Sequence, residues 1–212
     1  MDNISVIIRN RNEERYIGYA IQSVLDTFEK PEIIVVDNNS TDNSMGIVNT
    51  FDFENIQTYN IDSYTPGKSL NYGVTKCSND YILVLSAHSQ IMNCEFGKIK
   101  GLLDEHCVVG GKQIPVWNGK KISRRYVWSN FEEHDIINQF SSNEDRYFLH
   151  NAFAFYTKQT LTKYPFDENL SGKEDRYWVN DRIKQGMDSY YDSVTTCHHH
   201  YTDNGATWKG IG

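Results

Sequence analysis

The sequence predicts an α/β fold, a mixed, mostly parallel sheet with flanking helices, and three observations predict it. Ile4, Val6, Ile7 and Ile8 form a near-continuous β-branched run, the pattern of a parallel strand covered on both faces. Ile17, Ala20, Ile21, Val24 and Leu25 then recur at helical spacing. A second apolar run, residues 33–36, stops at the carboxylate of Asp37 and the polar turn Asn38-Asn39-Ser40-Thr41-Asp42. Strand, crossover helix and strand in this order form the repeating unit of a parallel sheet, in which ligands sit beyond the carboxyl ends of the strands.

The remaining elements follow in chain order. After the polar break Arg9-Asn10-Arg11-Asn12, Glu13 and Glu14 are expected at the start of the first helix, where its dipole favours acids, and Pro31 ends the connection. Ile47 and Val48 mark a short second helix, residues 56–59 a third strand and residues 70–74 a third helix. Residues 81–85, Tyr-Ile-Leu-Val-Leu, read as a buried strand that ends in Ser86-Ala87-His88-Ser89. Residues 101–143 mix glycine, aromatics and charge with weak periodicity, and predict strands and loops laid across the sheet rather than more of its core. Residues 157–163 predict a short helix stopped by Pro165. Residues 174–185 predict another, with Trp178, Val179 and Ile183 apolar and Gly186 as C-terminal cap.

Length and composition bound the function. A chain of 212 residues supports one sizeable core, and no linker, repeat or low-complexity tract divides it, so one domain over 1–212 is expected. A net charge of -7 argues against broad nucleic-acid binding, which needs a basic face. Cys77, Cys94, Cys107 and Cys197 lie far apart without CxxC spacing, and no signal peptide is visible, which predicts a reducing, cytoplasmic location; the sequons at Asn38 and Asn39 are then irrelevant. No apolar run approaches the roughly 20 residues of a membrane span, so membrane contact is expected to be peripheral. Gly67-Lys68-Ser69 matches the end of a phosphate-loop motif, but its first glycine would fall at Asp62 and no buried strand feeds Gly67, which argues against an NTPase.

Several blocks carry a family resemblance. Ser5-Val-Ile-Ile-Arg-Asn-Arg-Asn-Glu-Glu, Ile34-Val-Val-Asp-Asn-Asn-Ser-Thr-Asp, Gly67-Lys-Ser-Leu-Asn-Tyr-Gly and Tyr81-Ile-Leu-Val-Leu resemble family 2 glycosyltransferases of the GT-A fold. His150-Asn151-Ala152-Phe153-Ala154, Pro165-Phe-Asp-Glu168, Glu174-Asp175 and His198-His199-His200 resemble the acceptor-side blocks of that family, in the expected order. The resemblance implies a GT-A fold with a nucleotide-sugar-binding half over 1–90 and an acceptor-binding half over 91–212. It also implies sugar transfer, by inverting displacement, from a nucleotide-sugar donor to a glycan or lipid-linked acceptor. The chain ends soon after the histidine segment, earlier than many members of that family, and so reads as a minimal enzyme or a fragment.

Carried over by position, the resemblance places Arg9, Arg11 and Glu13 in the first loop at the donor, with Asp37 accepting from a ring or ribose donor and Asn39 beside it. Lys68 lies near the nucleotide or its diphosphate. The same residues have plainer readings: Asp37 and Asp42 as strand terminus and helix cap, Lys68 as a solvated loop charge. The family usually holds a divalent cation through a D-x-D motif at the end of the fourth strand. Here Ser86-Ala87-His88 stands in its place and both carboxylates are gone. An imidazole suits zinc or later transition ions better than magnesium. Three readings follow: His88 ligates a cation (Mn²⁺, Mg²⁺ or Zn²⁺) with His198 or His200, it hydrogen-bonds the diphosphate directly, or the donor site is dead. Adjacent residues of an extended segment cannot all point one way, so at most two of the histidine triplet share a face.

Asp175 is the candidate base, with Glu174 before it: an inverting transferase needs one carboxylate to take the acceptor proton, and the diphosphate leaves without a second acid. The plainer alternative is a pair of first-turn acids favoured by the helix dipole. Asn151 and Trp178 are placed at the acceptor, Trp117 or Trp128 as stacking platforms, and Arg124 and Arg125 as a charged solvated face or a diphosphate contact. Two rival functions stand beside the transferase. One is a degenerate carbohydrate- or nucleotide-binding protein, favoured by Ser86-Ala87-His88. The other is a sugar nucleotidyltransferase, disfavoured because the first loop lacks glycine. Sugar, base, acceptor and oligomeric state are not encoded in any motif.

Overall fold

A computed structural model describes residues 2–118, 120–121, 126–203 and 205. In chain order the elements are β1 (Ile4–Asn10), α1 (Ile17–Thr27), β2 (Glu32–Asp37), α2 (Ser44–Val48), β3 (Ile56–Asn60), α3 (Pro66–Lys76), β4 (Tyr81–Ser86), β5 (Ser89–Asn93), α4 (Phe96–Glu105) and β6 (Val108–Trp117). Then follow β7 (Lys120–Lys121), a 3₁₀ turn (Tyr126–Asn130), β8 (Ile136–Ile137), β9 (Phe140–Ser141), β10 (Arg146–Tyr147), β11 (Phe153–Thr157), α5 (Lys158–Lys163), α6 (Glu174–Lys184) and β12 (Ser189–His200).

The main sheet runs β3-β2-β1-β4-β11-β6-β12-β5, and β9 and β10 form a separate hairpin. The first four strands of that order are mutually parallel, β11 is antiparallel to both β4 and β6, and β12 is parallel to β6. Alternation along each strand divides the core between the two faces. Val6 and Ile8 pack with Ile17, Ile21, Val24 and Ile99 on one side. Ile7 and Val84 pack with Leu70, Tyr156, Trp178 and Val179 on the other. Strands β1 and β2 are buried along nearly all their length, which is why their sequence is continuously apolar rather than alternating.

Two sequence expectations need correction. Helix α1 has no acid in its first turn. Glu13 and Glu14 lie in the turn ahead of it, tied to the next loop by Glu13 N–H to Ser44 Oγ (2.8 Å) and Glu14 N–H to Asp42 Oδ2 (2.9 Å). The tether to the α2 loop, not the α1 dipole, places these acids. Residues 101–143 are also not merely laid across the sheet, because β6 is a ten-residue strand inside it, between β11 and β12. Glycine at 110 and 111 suggested a loop, yet a Cβ on Gly111 would lie 2.4 Å from the Phe153 ring and 3.0 Å from the Thr195 carbonyl. These glycines are close-packing positions in a strand. Arg124 and Arg125 lie outside the described residues. Among the described residues no helix is long and apolar enough to cross a membrane.

Candidate active site

A cleft of about 670 Å³ opens at the carboxyl ends of β1, β2 and β4 and reaches the start of α6. Its walls are polar because each parallel strand gives way there to a loop, where backbone and side-chain groups leave the sheet ladder.

On the wall formed by the ends of β1, β2 and β4, Arg9, Asn10, Arg11, Glu13, Asn38, Ser86 and His88 line the cleft. Asp37 does not; it is buried behind Asn10, accepting from Asn10 Nδ2 (2.7 Å), Ser40 N–H (2.9 Å) and the Ser40 hydroxyl (2.6 Å). Asn10 Oδ1 is left without a partner at the wall. Asp37 thus stands one residue behind the cleft wall, in contact with it through Asn10. Asn39 is also displaced: it adopts the left-handed conformation and bridges β2 to β3, its Nδ2 donating to the Ile61 carbonyl and its Oδ1 accepting from Asn60 Nδ2. Lys68 sits exposed in the first turn of α3, its Nζ on Ser63 Oγ, and does not line the cleft.

The histidines are arranged differently from expectation. The triplet lies inside β12 rather than after it, so alternation points His199 one way and His198 and His200 the other. His199, fully buried, meets His88 with 3.1 Å between their Nε2 atoms, while His88 Nδ1 lies 3.2 Å from Glu13 Oε1. Gln113 donates through Nε2 to the His150 carbonyl (3.0 Å), so its Oε1 accepts from His199 Nδ1–H (2.9 Å). In this assignment His199 Nε2 is an acceptor and His88 Nε2–H donates to it. Burial, with the neighbouring His88 and His150, pushes the His199 imidazolium far below its ordinary range. His200 instead stacks on Tyr16 (4.8 Å between centroids), and burial lowers it to about 4. His198 and His200 therefore do not join His88.

This donor set does not fit a resident divalent ion. His88 Nε2 is engaged by His199 and its Nδ1 lies against Glu13 alone, without a hydrogen bond, and among the described residues no group of three or more His, Cys, Asp or Glu converges as a ligand set. Hard cations such as Mg²⁺ want oxygen ligands, which Ser86-Ala87-His88 lacks as carboxylates.

Opposite, Glu174 and Asp175 open α6, both about 95% buried. Their preceding residue, Lys173, holds a left-handed backbone at φ 60°, which turns the chain into the helix. Glu174 Oε1 accepts from Arg9 (3.0 Å), joining the first strand to the last helix across the cleft. Burial and the Asp175 charge raise the Glu174 carboxyl above the usual carboxylate range, against the pull of Arg9. Asp175 moves the other way: burial would raise it, but the Arg176 guanidinium and the Asn151 N–H outweigh that and lower it. Two adjacent acids are thus driven apart, the pattern expected where one must stay ionised.

Asn151 lines the cleft beside them, its Oδ1 accepting from the Tyr156 hydroxyl (2.5 Å) and its Nδ2 without a partner. Trp178 is corrected: its Nε1–H donates to the Tyr164 carbonyl (2.7 Å) and its ring packs against Tyr156 and Phe166 in the core. Trp128 is buried edge-on against His199, and Trp117 is half exposed beside Tyr201. The sequence reading missed Asn10, Gln113, Glu144, His150, Arg176 and His199. Arg176 had the signal of adjacency to Asp175; Glu144, in the β9–β10 turn, had none.

Comparison with known proteins adds the lineage. The family model described as Glycosyl transferase family 2 matches residues 5–165, a span that includes β1 to β11 and stops before Glu174. The minor teichoic acid biosynthesis protein GgaA of Bacillus subtilis is 25% identical over 187 residues, covering 83% of this chain and 42% of GgaA. The Campylobacter jejuni GalNAc(5)-diNAcBac-PP-undecaprenol beta-1,3-glucosyltransferase is 23% identical over 194 residues, 85% of this chain and 60% of that protein. Among solved structures, S. aureus TarS 1-349 in complex with UDP-GlcNAc superimposes with TM-score 0.73 at 21% identity, covering 99% of this chain and 61% of that chain. The chain thus spans less than two thirds of each of these relatives.

Proposed function

The chain belongs to glycosyl transferase family 2, and from that premise we propose that it moves a sugar from a nucleotide-sugar donor to an acceptor hydroxyl with inversion. One observation carries the reading: a buried carboxylate held ionised, Asp175, faces across one cleft the polar ends of β1 and β4. The donor half lies within residues 1–90, with Asn10, oriented by Asp37, and Asn38 meeting the nucleotide. The acceptor half follows, with Asn151 Nδ2 free to donate to the incoming sugar.

In the reaction, the acceptor oxygen attacks the anomeric carbon as its proton passes to Asp175. The bond from that carbon to the nucleoside diphosphate breaks, its electron pair leaving on the phosphate oxygen. Arg11, exposed on the cleft, meets the growing negative charge on the leaving diphosphate. Because Ser86-Ala87-His88 offers no carboxylate at the end of β4, we assign the chain a weak or altered cation requirement rather than a fixed Mn²⁺ or Mg²⁺ site. UDP-GlcNAc, the ligand of the TarS complex, is the first donor to offer. A lipid-linked glycan, the acceptor class in the Campylobacter relative's name, is the first acceptor to offer.

The test is nucleoside diphosphate release over a panel of nucleotide sugars, with chelator or with added Mn²⁺, Mg²⁺ or Zn²⁺, in wild type and Asp175→Asn. Release that depends on Asp175 supports the transferase, and its metal response reports what His88 does. The missing carboxylates at 86 and 88 favour one competing reading, a binding protein that kept the fold. That reading gains if no donor is turned over while a nucleotide still raises the melting temperature.

A further inference from the structure

The oxygens of Asp175 are not equivalent. Oδ2 accepts from the Asn151 backbone N–H and from Arg176 Nη1, each at 2.9 Å, while among the described residues Oδ1 accepts only from the Arg176 backbone N–H at 2.8 Å. A carboxylate oxygen offers about two lone-pair sites. Oδ2 is therefore filled, and Oδ1 keeps one site open. Arg176 is itself clamped: its guanidinium is 8% exposed, lies 4.7 Å from the Phe148 ring centroid, and has Nη2 3.6 Å from Glu144 Oε1. Glu144 is 3% exposed and lies 3.2 Å from Lys173 Nζ. It belongs to the turn of the β9–β10 hairpin, so one carboxylate from a separate small sheet bears on the helix that carries Asp175.

Resting on the transferase reading above, we infer that Arg176 and Glu144 are positioning residues: Arg176 pins Asp175 Oδ2 so that Oδ1 takes the acceptor proton, and Glu144 sets how much of the Arg176 charge Asp175 feels. The step balances. The acceptor O–H breaks with its proton going to Oδ1, the new C–O bond forms, and the diphosphate leaves with the electron pair of the bond that breaks. Arg176 neither gains nor loses a proton. Its contribution is a fixed charge and a filled lone pair, which together decide the pH below which Asp175 is protonated and idle.

The other groups facing Asp175 are Glu174 on α6, Arg9 on β1 beyond it, His150 and Asn151 on the segment before β11, and Tyr156 on β11 through Asn151. Of these Glu174, its carboxyl raised by burial and by Asp175, titrates within the test, so each profile is repeated in a Glu174→Gln background. His150 is neutral over all but the lowest pH of the test, since burial and Arg176 lower it to about 3. Lys173 acts through Glu144.

Opposed shifts test the inference, because general structural damage does not produce them. Using whichever donor of the panel wild type turns over, kcat is followed from pH 8 down to pH 2.5, over the range in which far-UV circular dichroism shows each variant folded, because Asp175 is held below the ordinary carboxylate value. Arg176→Gln moves the acid limb up by about one pH unit, tenfold in proton concentration. Glu144→Gln moves it down, and Arg176→Lys, which keeps the charge, stays near wild type. If both Gln variants lose rate while the acid limb stays put, the inference is wrong and the pair only stiffens the fold. A second readout is independent of turnover: the urea midpoint of wild type, Arg176→Gln and Asp175→Asn between pH 3 and 6. A carboxylate held low contributes stability above its unfolded value that is lost as pH falls. Wild type shows that acid loss relative to Asp175→Asn, and Arg176→Gln shows less of it. Equal loss in wild type and Arg176→Gln refutes the inference. Absence of any donor turnover refutes the transferase reading instead, with this second readout still deciding the Arg176 geometry.

Discussion

Arg9→Met isolates the ion pair that ties the first strand to the last helix. Glu174 is 6% exposed in its side chain and Arg9 is 19%, with 3.0 Å between them, and no other ion-pair partner of Glu174 is present among the described residues. At an effective dielectric of about 20, two unit charges at that separation attract by about 5 kcal/mol. Desolvation offsets part of this. Removing one partner of a buried pair, however, strands the other charge, at a cost of about 3 kcal/mol for a site that is not fully dry. With a urea slope of about 2 kcal/mol/M for a chain of this size, the midpoint at pH 7.5 falls by about 1.5 M. The pH dependence gives the sign. Glu174 is already raised in the folded state by burial and by Asp175, so folded protein binds its proton more tightly than unfolded protein. Such a group's contribution is fully present below the unfolded value, near 4.3, and is lost as pH rises through the folded value. Without Arg9 the folded value climbs further. The deficit of Arg9→Met relative to wild type must therefore shrink from pH 7.5 to pH 5, and Arg9→Met/Glu174→Gln must recover most of it at pH 7.5. Equal deficits at both pH values, or a double variant no more stable than the single, would refute the stranded-charge account.

Four further outcomes are expected. Asp175→Asn lowers kcat for nucleotide release by roughly 10²- to 10⁴-fold, the range of a lost general base, while nucleotide-dependent thermal stabilisation persists. Asp37→Asn weakens nucleotide binding, read as a smaller thermal shift at fixed nucleotide, because charge-assisted bonds to Asn10 and Ser40 worth about 1.5–3 kcal/mol each are degraded. Gly111→Ala drives a methyl into Phe153 and costs about 1–3 kcal/mol in urea unfolding, with Phe153→Leu in the same chain restoring part of the loss. Cys77 and Cys107, whose thiols burial pushes up to about 12, stay unreactive to a disulfide reagent at pH 8 until the chain unfolds, so their labelling rate tracks unfolding.

Much of the donor-side architecture was legible because it is local. The β-branched run of β1, the 3.6-residue period of α1 and the apolar run of β2 fall where the sequence places them, since burial on both faces of a parallel strand leaves no choice of residue. The α5 and α6 helices also appear close to their expected bounds, with Gly186 at φ 81° just past the last turn of α6. Strand β6 was not legible, because its Gly111 answers to a ring delivered by β11, more than forty residues later. Trp178 illustrates the same limit: an aromatic on an active-site helix looks alike in sequence whether it faces ligand or core.

The sequence by itself determined the order of strands and helices from β1 to β4, the ends of those strands where polar groups must emerge, and the identity of Glu174 and Asp175 as adjacent acids at a helix start. Tertiary structure alone decided which polar groups meet. Strand alternation gave His199, not His198 or His200, to His88, and a tether between loops put Glu13 beside them. A hairpin turn with no motif of its own brought Glu144 to Arg176, and through it to Asp175. Apolar periodicity is a property of neighbours in sequence, whereas a carboxylate's proton affinity is set by charges within a few ångströms, and those arrive from anywhere in the chain.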